Sequence, residues 1–573
     1  MIKRAVSAWL FAAMMMLIFL PGSFTSLNFA QGSEIYYVFL IAALVFLGLT
    51  VAEGFVKSEL ADNIVLTLSV LGCALLCVRE TNDVYFLLGI TAGCAVLLWH
   101  MMDSDRLKLD SVPLSKRAMI ITSTALGLFF ALYIGLLTSL RYLTYSTPNF
   151  DFGIFCNMFF NMKETLLPNV TCERDGLLSH FAVHVSPIYY LLLPFYMIFP
   201  SPLTLEIGQA VILASGVIPV VLLCRHLKMS NKATVAFAAI YVFFPALAGG
   251  CFYDLHENKF LAPLILWLMY FIEKKQEIPT YIFMMLVLFV KEDAPVYIMF
   301  IALYMLIHRK EYRKGIIMMA VSVLYFLGVT SYLANAGDGV MTYRYDNFIA
   351  DSDAGLIGVI KTVLVNPALV FFESFNPDKL KFMILTLVPL GFMPFLTRKT
   401  SRLILVLPYI LINLMSDYQY QHSIFFQYTY ASCALLFYLA ILNASELSHA
   451  ARKALLIMTM TASVLFFTSQ IADRDYYINT YKTNRDNYAK MNEALEIIPD
   501  DASVKASTFL VPKLSQRFEI YDISTVHDTE YAAVDLRSGY NAKASQQLEQ
   551  LENEGFEFVV MIEDLIAVLK IGE

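Results

Sequence analysis

"SPIYYLLLPFYMIFPSP", residues 186–202, is the stretch on which the layout of this chain turns. It is apolar enough for a membrane span. It is also short, and Pro187, Pro194, Pro200 and Pro202 interrupt or bracket it. Proline removes a helical N–H and clashes with the preceding turn. Counted as a crossing, the stretch puts the basic cluster Arg225, His226, Lys228 and Lys232 outside. Counted as a helix lying on the outer surface, it leaves that cluster inside, where Lys and Arg of membrane proteins gather. The interfacial reading is therefore adopted.

The surroundings fit a membrane protein. Of 573 residues, 58% are hydrophobic and 16% charged, with a mean hydropathy of +0.62. A soluble chain would carry about a quarter charged residues. Apolar runs of 15–23 residues recur over the first 470 positions, each near the length that crosses a hydrocarbon core as a helix. The expected class is a mainly α, polytopic helical membrane protein. The net charge of −7 gives no sign of a nucleic-acid partner. Lys3 and Arg4 precede a first run, Ala5–Leu20, that has no small-residue cleavage site close behind it. It reads as a retained span with a cytoplasmic N-terminus.

With 187–199 interfacial, the later basic clusters fall inside in turn: "EKKQE" (273–277), "HRKEYRK" (308–314), "TRKTSR" (397–402) and Arg452–Lys453. About fifteen spans result, including 233–249, 382–396 and 403–415. Residues 1–117 are N-terminal transmembrane helices, 118–471 a transmembrane core with an external loop 141–202, and 472–573 an extracytoplasmic segment. The last changes to mixed, charged composition. "RDNYAKMNEALEIIP" and "AKASQQLEQLENEG" read as helices, and "ASVKAS", "FEIYDI", "YAAVDL" and "FEFVVMI" as strands. A small α/β domain is expected there.

This layout collects polar groups on the outer face. They are Asp151 in "NFDFGIFCNMFF"; Arg174, His180 and His184 in "ERDGLLSHFAVH"; Asp254, His256 and Glu257 in "YDLHENK"; Lys291, Glu292 and Asp293 in "KED"; and, outside the site candidates, Arg344 and Asp346 in "TYRYDNF" and Asp417 and His422 in "DYQYQH". The spans hold few ionisable residues, which argues against an ion-coupled transporter. Glycosyl transfer at a membrane interface suits the set. A carboxylate takes a proton from an acceptor hydroxyl, cations or a metal meet a departing lipid phosphate, and an apolar groove holds the lipid. Asp151 is the catalytic candidate; Lys291, Arg174 or His256 would meet the phosphate, and Glu257, Glu292 and Asp293 the sugar or a metal. Plainer roles stand beside these. Asp151 is also a good helix N-cap, and "YDLHENK" a solvated turn. "KED" is harder to place so, because three charges in almost thirty apolar residues are costly unless they meet water or partners. His180 and His184, at i and i+4, either share a helical face that binds a divalent metal with a carboxylate or simply open a helix. The cofactor is thus unknown. Cys156 and Cys172 share one loop and either pair or stay free.

Those stretches resemble a known family. "FDFGIFCNMFFN", "LLSHFAVHVSPIYYLLLPFYMIFPSPLTLEIGQA", "FFPALAGGCFYDLHENKFLAPLILW", "VKEDAPVYI", "IPDDASVKASTFLVPKLSQRFEIYDI" and "EYAAVDLR" are similar, in order and spacing, to bacterial membrane proteins of domain of unknown function 2079. That family is similar in turn to the GT-C superfamily of polyprenyl-phosphate-sugar glycosyltransferases. The resemblance implies a GT-C-like core, with Asp151 as the loop carboxylate and "CRHLKMSNK" as the basic inner loop. It implies a cell-envelope enzyme that moves sugar from a polyprenyl-phosphate donor to an extracytoplasmic glycan, lipid or protein. A flippase or exporter of lipid-linked intermediates and a non-catalytic envelope assembly protein are the alternatives.

Overall fold

Apolar sequence becomes helix wherever proline and glycine allow it. The computed structural model describes every residue except 21–22, 28, 30–34, 57–58, 338–341, 350–354 and 573. Among the described residues, nine helices are long and apolar enough to cross a membrane. Five precede the Asp151 loop: Ile2–Phe19, Ile35–Phe55, Leu60–Arg79, Val84–Asp103 and Lys116–Leu143. Four follow it: Pro202–His226, Tyr312–Ala336, Gln427–Ser445 and His449–Gln470. Two further pairs are bent, Asn231–Val242 with Pro245–Tyr253 by 45°, and Ile357–Val365 with Pro367–Ser374 by 100°. The flanks of "KED" are short helices, Glu277–Leu288 and Ala294–Arg309.

Three of the spans read from sequence take a different form. Residues 382–396 leave the helix Pro377–Leu387 for two three-residue 3-10 turns at Pro389 and Pro394. Residues 403–415 wind as a 3-10 segment followed by a π segment, Thr400–Val406 and Tyr409–Leu414. The span read at 233–249 breaks before Pro245. In each case a proline withdraws the N–H that a regular helix needs.

The stretch 186–202 is a 3-10 turn, Pro187–Leu191, and a six-residue helix, Leu193–Ile198. Six residues rise about 9 Å, far less than a ~30 Å hydrocarbon core. Ile188, Tyr189, Leu193 and Tyr196 are buried, while Phe195, Ile198 and Phe199 are exposed. The segment therefore rests on the protein with a free apolar side.

The two ends of the bundle hold different charges. At one end Arg4 forks onto Asp62 at 3.0 and 3.1 Å. Asn63 there meets the Arg106 carbonyl at 3.0 Å, and Lys232 meets that of Leu109 at 2.7 Å. Arg309 pairs with Glu273 at 2.7 Å, His308 with Ser401 at 2.7 Å, and Arg402 with Glu446. Ser115, Ser230 and Ser448 cap helices at this end, each accepting an N–H the helix cannot use itself. The basic clusters read from sequence thus meet one another. The opposite end carries Asp151, "YDLHENK", "KED" and the C-terminal sheet.

That sheet has five strands in the order β4-β3-β5-β7-β6; the short pair β1 (Asn169–Val170) and β2 (Leu178–Ser179) lies in the Asp151 loop. Strand β3 (Val504–Ala506) runs parallel to β4 (Ile520–Asp522) and β5 (Tyr531–Asp535). Strand β7 (Ile566–Ile571) runs antiparallel to β5 and to β6 (Phe556–Ile562). The sequence reading lacked β7, whose "IAVLKI" follows β6 after a short turn. Gly555, at φ +91°, ends the helix Ala544–Asn553 before β6, a conformation glycine adopts freely. The sheet shares its core with the membrane region: Val504, Val511 and Ile520 pack with Tyr145, Ile154, Val170 and Cys172.

One buried side chain fastens the two. Arg537 binds Asp535 and donates to the carbonyls of Thr144 at 3.1 Å and Tyr145 at 2.9 Å. Asp535 is fully buried. Arg537→Ala removes the guanidinium from both carbonyls and leaves the buried carboxylate only the backbone N–H of residue 537 and no counter-charge, at a cost of about 3–5 kcal/mol. The expected result is a lower thermal midpoint, with early protease cleavage between residues 472 and 503; an unchanged midpoint and cleavage pattern would deny the residue this role.

Candidate functional site

Asp151 lies in a π-turn, Asn149–Gly153, between the long helix Lys116–Leu143 and the helix Ile154–Thr165. The second helix has Gly153 as its cap and no side-chain capping bond. Asp151 therefore does not cap it. Its carboxylate Oδ2 instead accepts from His256 Nε2 at 2.8 Å. Gly153 is required by space, since a Cβ there would meet Asn149 Oδ1 at 2.7 Å and Val511 at 2.9 Å. The turn is latched from the C-terminal region. Asn149 N donates to Thr508 Oγ1 at 3.1 Å, and Asn157 Nδ2 reaches the Ser515 and Arg517 carbonyls at 3.2 and 2.8 Å.

"YDLHENK" is shaped by Asp254. That residue takes φ +61°, which costs a non-glycine residue about 1–3 kcal/mol unless its surroundings hold it. Arg141 binds its carboxylate and Lys259 its carbonyl. The kink carries His256 between the rings of Phe155, edge-on at 4.9 Å, and Tyr253, stacked at 5.2 Å. Glu257 follows. Its Oε1 accepts from Lys291 at 2.6 Å and its Oε2 from the Tyr189 hydroxyl at 2.5 Å. Glu292 accepts from His184 Nδ1 at 2.8 Å. Three sequence regions and the interfacial stretch thus meet in one network.

A cavity of about 420 Å³ opens beside it. Its polar end is formed by His184, Lys291, Glu292, Asp293 and Arg344. Its body is apolar, from Val296 and Phe326 to Val359, Ile360 and Leu364. Asp151 is not itself part of this lining; it is bound to His256, the neighbour of Glu257 in the network, and its side chain is 28% exposed. Glu292 Oε2, Asp293 Oδ1 and His256 Nδ1 are buried without a partner. Buried acceptors without donors are costly, so these three atoms suit a ligand that brings O–H or N–H groups.

The charges set one another. Burial alone would raise the Asp151 carboxyl, but the His256 bond and the attraction of His256, His184 and Lys291 hold it below the usual aspartate range. Burial keeps His256 below the usual histidine range despite Asp151. Burial opposes charge on Lys291 and Glu257 too, yet each holds the other ionised, Lys291 raised and Glu257 depressed. Burial pushes Asp293 up to about 6, with Lys291 and Arg344 opposing and Glu292 adding.

Of the ten site candidates read from sequence, Asp151, His184, His256, Glu257, Lys291, Glu292 and Asp293 come together. The other three make no side-chain hydrogen bond described within this network. Asp254 is buried and turned to Arg141. His180 is buried against Phe155 and bound to Glu173 at 2.9 Å. Arg174 is exposed on the loop. His180 and His184 do lie side by side, their rings edge-on at 6.0 Å and the His184 N–H on the His180 carbonyl at 2.9 Å, although only His180–Ala182 is helical, as a 3-10 turn. Among the described residues, no three His, Cys, Asp or Glu side chains are grouped to hold a metal. Cys156 and Cys172 are buried free thiols.

Two parts of the site were missing from the candidates. Arg344 lies 4.9 Å from the rings of both Tyr418 and Tyr428. The helix Ile357–Val365, the first half of a bent pair with Pro367–Ser374, walls the cavity. The signals available were a lone arginine in "TYRYDNF" and an apolar run split by Pro367.

No curated protein matches the chain. Two solved structures of ArnT from Cupriavidus metallidurans are similar to it. The one bound to undecaprenyl phosphate has a TM-score of 0.45 and 10% identity, covering 78% of this chain and 99% of that one. The apo structure has a TM-score of 0.42 and 8% identity, covering 77% and 99%. The family described as predicted membrane protein of domain of unknown function 2079 matches residues 141–554, most of the chain, so the chain belongs to that family.

Proposed function

We propose that this protein is a membrane glycosyltransferase that moves a sugar from a polyprenyl-phosphate donor to a hydroxyl of an extracytoplasmic glycan, lipid or protein. The observation that carries the reading is the cavity's division. One end offers cations and carboxylate oxygens that lack donors; the rest is apolar. A lipid-linked sugar phosphate has the complementary parts in the same order. Arg344 and Lys291 would hold the phosphate, Glu292 and Asp293 the sugar hydroxyls, and the apolar walls the first part of the lipid.

The reaction is written as a single displacement. The acceptor oxygen forms a bond to the sugar C1 while the bond from C1 to the phosphate oxygen breaks. Polyprenyl phosphate leaves with that electron pair, and the acceptor proton passes to Asp151. His256, donating through Nε2, orients the carboxylate and keeps it ionised. Arg344 and Lys291 meet the charge that grows on the leaving phosphate.

Transfer by purified protein from polyprenyl-phosphate-linked sugars tests this. Loss of a general base costs roughly 10²–10⁴-fold in rate, so Asp151→Asn is expected to fall by that much while keeping its donor affinity. Arg344→Ala should raise the donor KM roughly tenfold to a hundredfold, as loss of a charged hydrogen bond does. Full activity in Asp151→Asn removes that residue from the chemistry.

The pH profile is a second test. The base must be ionised, so the rate falls as pH drops through the Asp151 pKa. His256→Ala removes a lowering influence and leaves burial to raise that pKa. The acid limb should then move to higher pH; a limb that stays in place would mean that His256 does not act through Asp151.

We further place the site on the extracytoplasmic face, because the basic clusters gather at the opposite end. In a cysteine-free background, Lys482→Cys should react with an impermeant thiol reagent in intact cells, and Arg313→Cys only after permeabilisation. Both side chains are exposed. The reverse pattern would put the site inside.

A further inference from the structure

A second cavity, of about 310 Å³, lies at the end of the bundle opposite the transfer site. It sits on a seam. Met102, Asp110 and Leu114 come from the fourth helix and the loop after it, before the family-matched region of residues 141–554. The other walls belong to the helices Asn231–Val242 and His449–Gln470.

The mouth is cationic. Lys232, Arg452 and Lys453 line it, with His449 beside them, against a single carboxylate, Asp110. Most of the partners of these cations are backbone carbonyls, including that of Met102, which accepts from Lys453 at 2.9 Å. Lys232 meets backbone carbonyls of residues 109 and 110 at 2.7 and 3.3 Å. Arg452 meets the Ser445 carbonyl at 3.3 Å. Lys453 binds Asp110, whose side chain is 48% exposed, so an incoming anion can replace or join it.

Behind the mouth the lining turns apolar, through Val235 and Ala236 on one helix and Leu456, Ile457 and Met460 on the other. From His449 to Met460 a helix rises about 16 Å. That matches one leaflet's hydrocarbon depth of about 15 Å. Charge at the surface end and a greasy slot of acyl-chain depth are the dimensions of a phospholipid. A soluble anion would have no use for the slot, and a neutral lipid none for three cations.

We infer that this seam binds an anionic glycerophospholipid of the leaflet opposite the transfer site, its phosphate at Lys232, Arg452 and Lys453 and one acyl chain between the helices Asn231–Val242 and His449–Gln470. The lipid would join the N-terminal helices to the core. It is separate from the proposed donor, which lies at the other end of the bundle, and does not depend on the transferase reading.

Native mass spectrometry of the delipidated full-length protein in neutral detergent tests this, with phosphatidylglycerol, phosphatidylcholine and inorganic phosphate as probes. Basic side chains at a membrane surface favour anionic lipid strongly enough to expect phosphatidylglycerol to bind roughly tenfold or more tightly than phosphatidylcholine. Arg452→Gln and Arg452→Gln/Lys453→Gln should lose that preference step by step. Ala236→Phe fills the slot without changing charge and should weaken phosphatidylglycerol alone. Equal binding of the two lipids, a preference that survives the charge variants, or inorganic phosphate competing as well as the lipid would each overturn the inference. Should the variants not fold, the three-probe comparison on the wild-type chain still decides it.

Discussion

Glu257 is where the membrane-end structure is tied together. Its two oxygens reach Lys291, in the turn between two short helices, and Tyr189, in the stretch that lies across the bundle end. The Tyr189 hydroxyl also accepts from the Glu257 backbone N–H at 3.1 Å. A buried carboxylate is expensive to ionise without such partners. With them, one side chain fixes the relative positions of three irregular segments that no shared helix or sheet could align. His256, its neighbour in sequence, is thereby set against Asp151.

The network separates two kinds of charge. Arg141 with Asp254 and Lys291 with Glu257 are nearly closed to water. The first pair shapes the backbone; in the second, Lys291 also lines the cavity and gives only one of its ammonium donors to Glu257. Glu292, Asp293 and His256 keep buried atoms with no partner, and Asp151 keeps a quarter of its surface open. A folded protein rarely leaves such atoms unpaired without a reason. The division marks which residues build the site and which are left for something else to meet.

Much of this was legible in the amino-acid order, and the limits were physical. Prolines at 187, 194, 200 and 202 announced a segment that could not be a regular span, and it is not one. The basic clusters gather at one end of the bundle, since charged side chains are costly among apolar helices. "KED" pointed to a site because three charges cannot be left among apolar helices. Tyr189 carried no such signal, and Arg344 was one outer polar group among several, with nothing to single it out. Each is ordinary in its own segment, and its meaning comes only from partners 68 and 84 positions away. The bent pair 357–374 escaped because each half is too short to register as a span. His180 and Asp254 looked like their neighbours in sequence but turned to different partners.

The latch on the Asp151 turn has a consequence for how the protein is made. Asn149 and Asn157 are held by Thr508, Ser515 and Arg517, some 360 positions later. At roughly 5–20 residues per second, the ribosome needs on the order of tens of seconds to supply those partners. During that time the turn has already emerged, with its polar groups unmatched and the core it shares with the sheet still open. Membrane insertion of the helices and completion of the site are thus distinct events in the life of the chain. A molecule cut short before residue 508 would have every span described above and an Asp151 turn without its C-terminal latch.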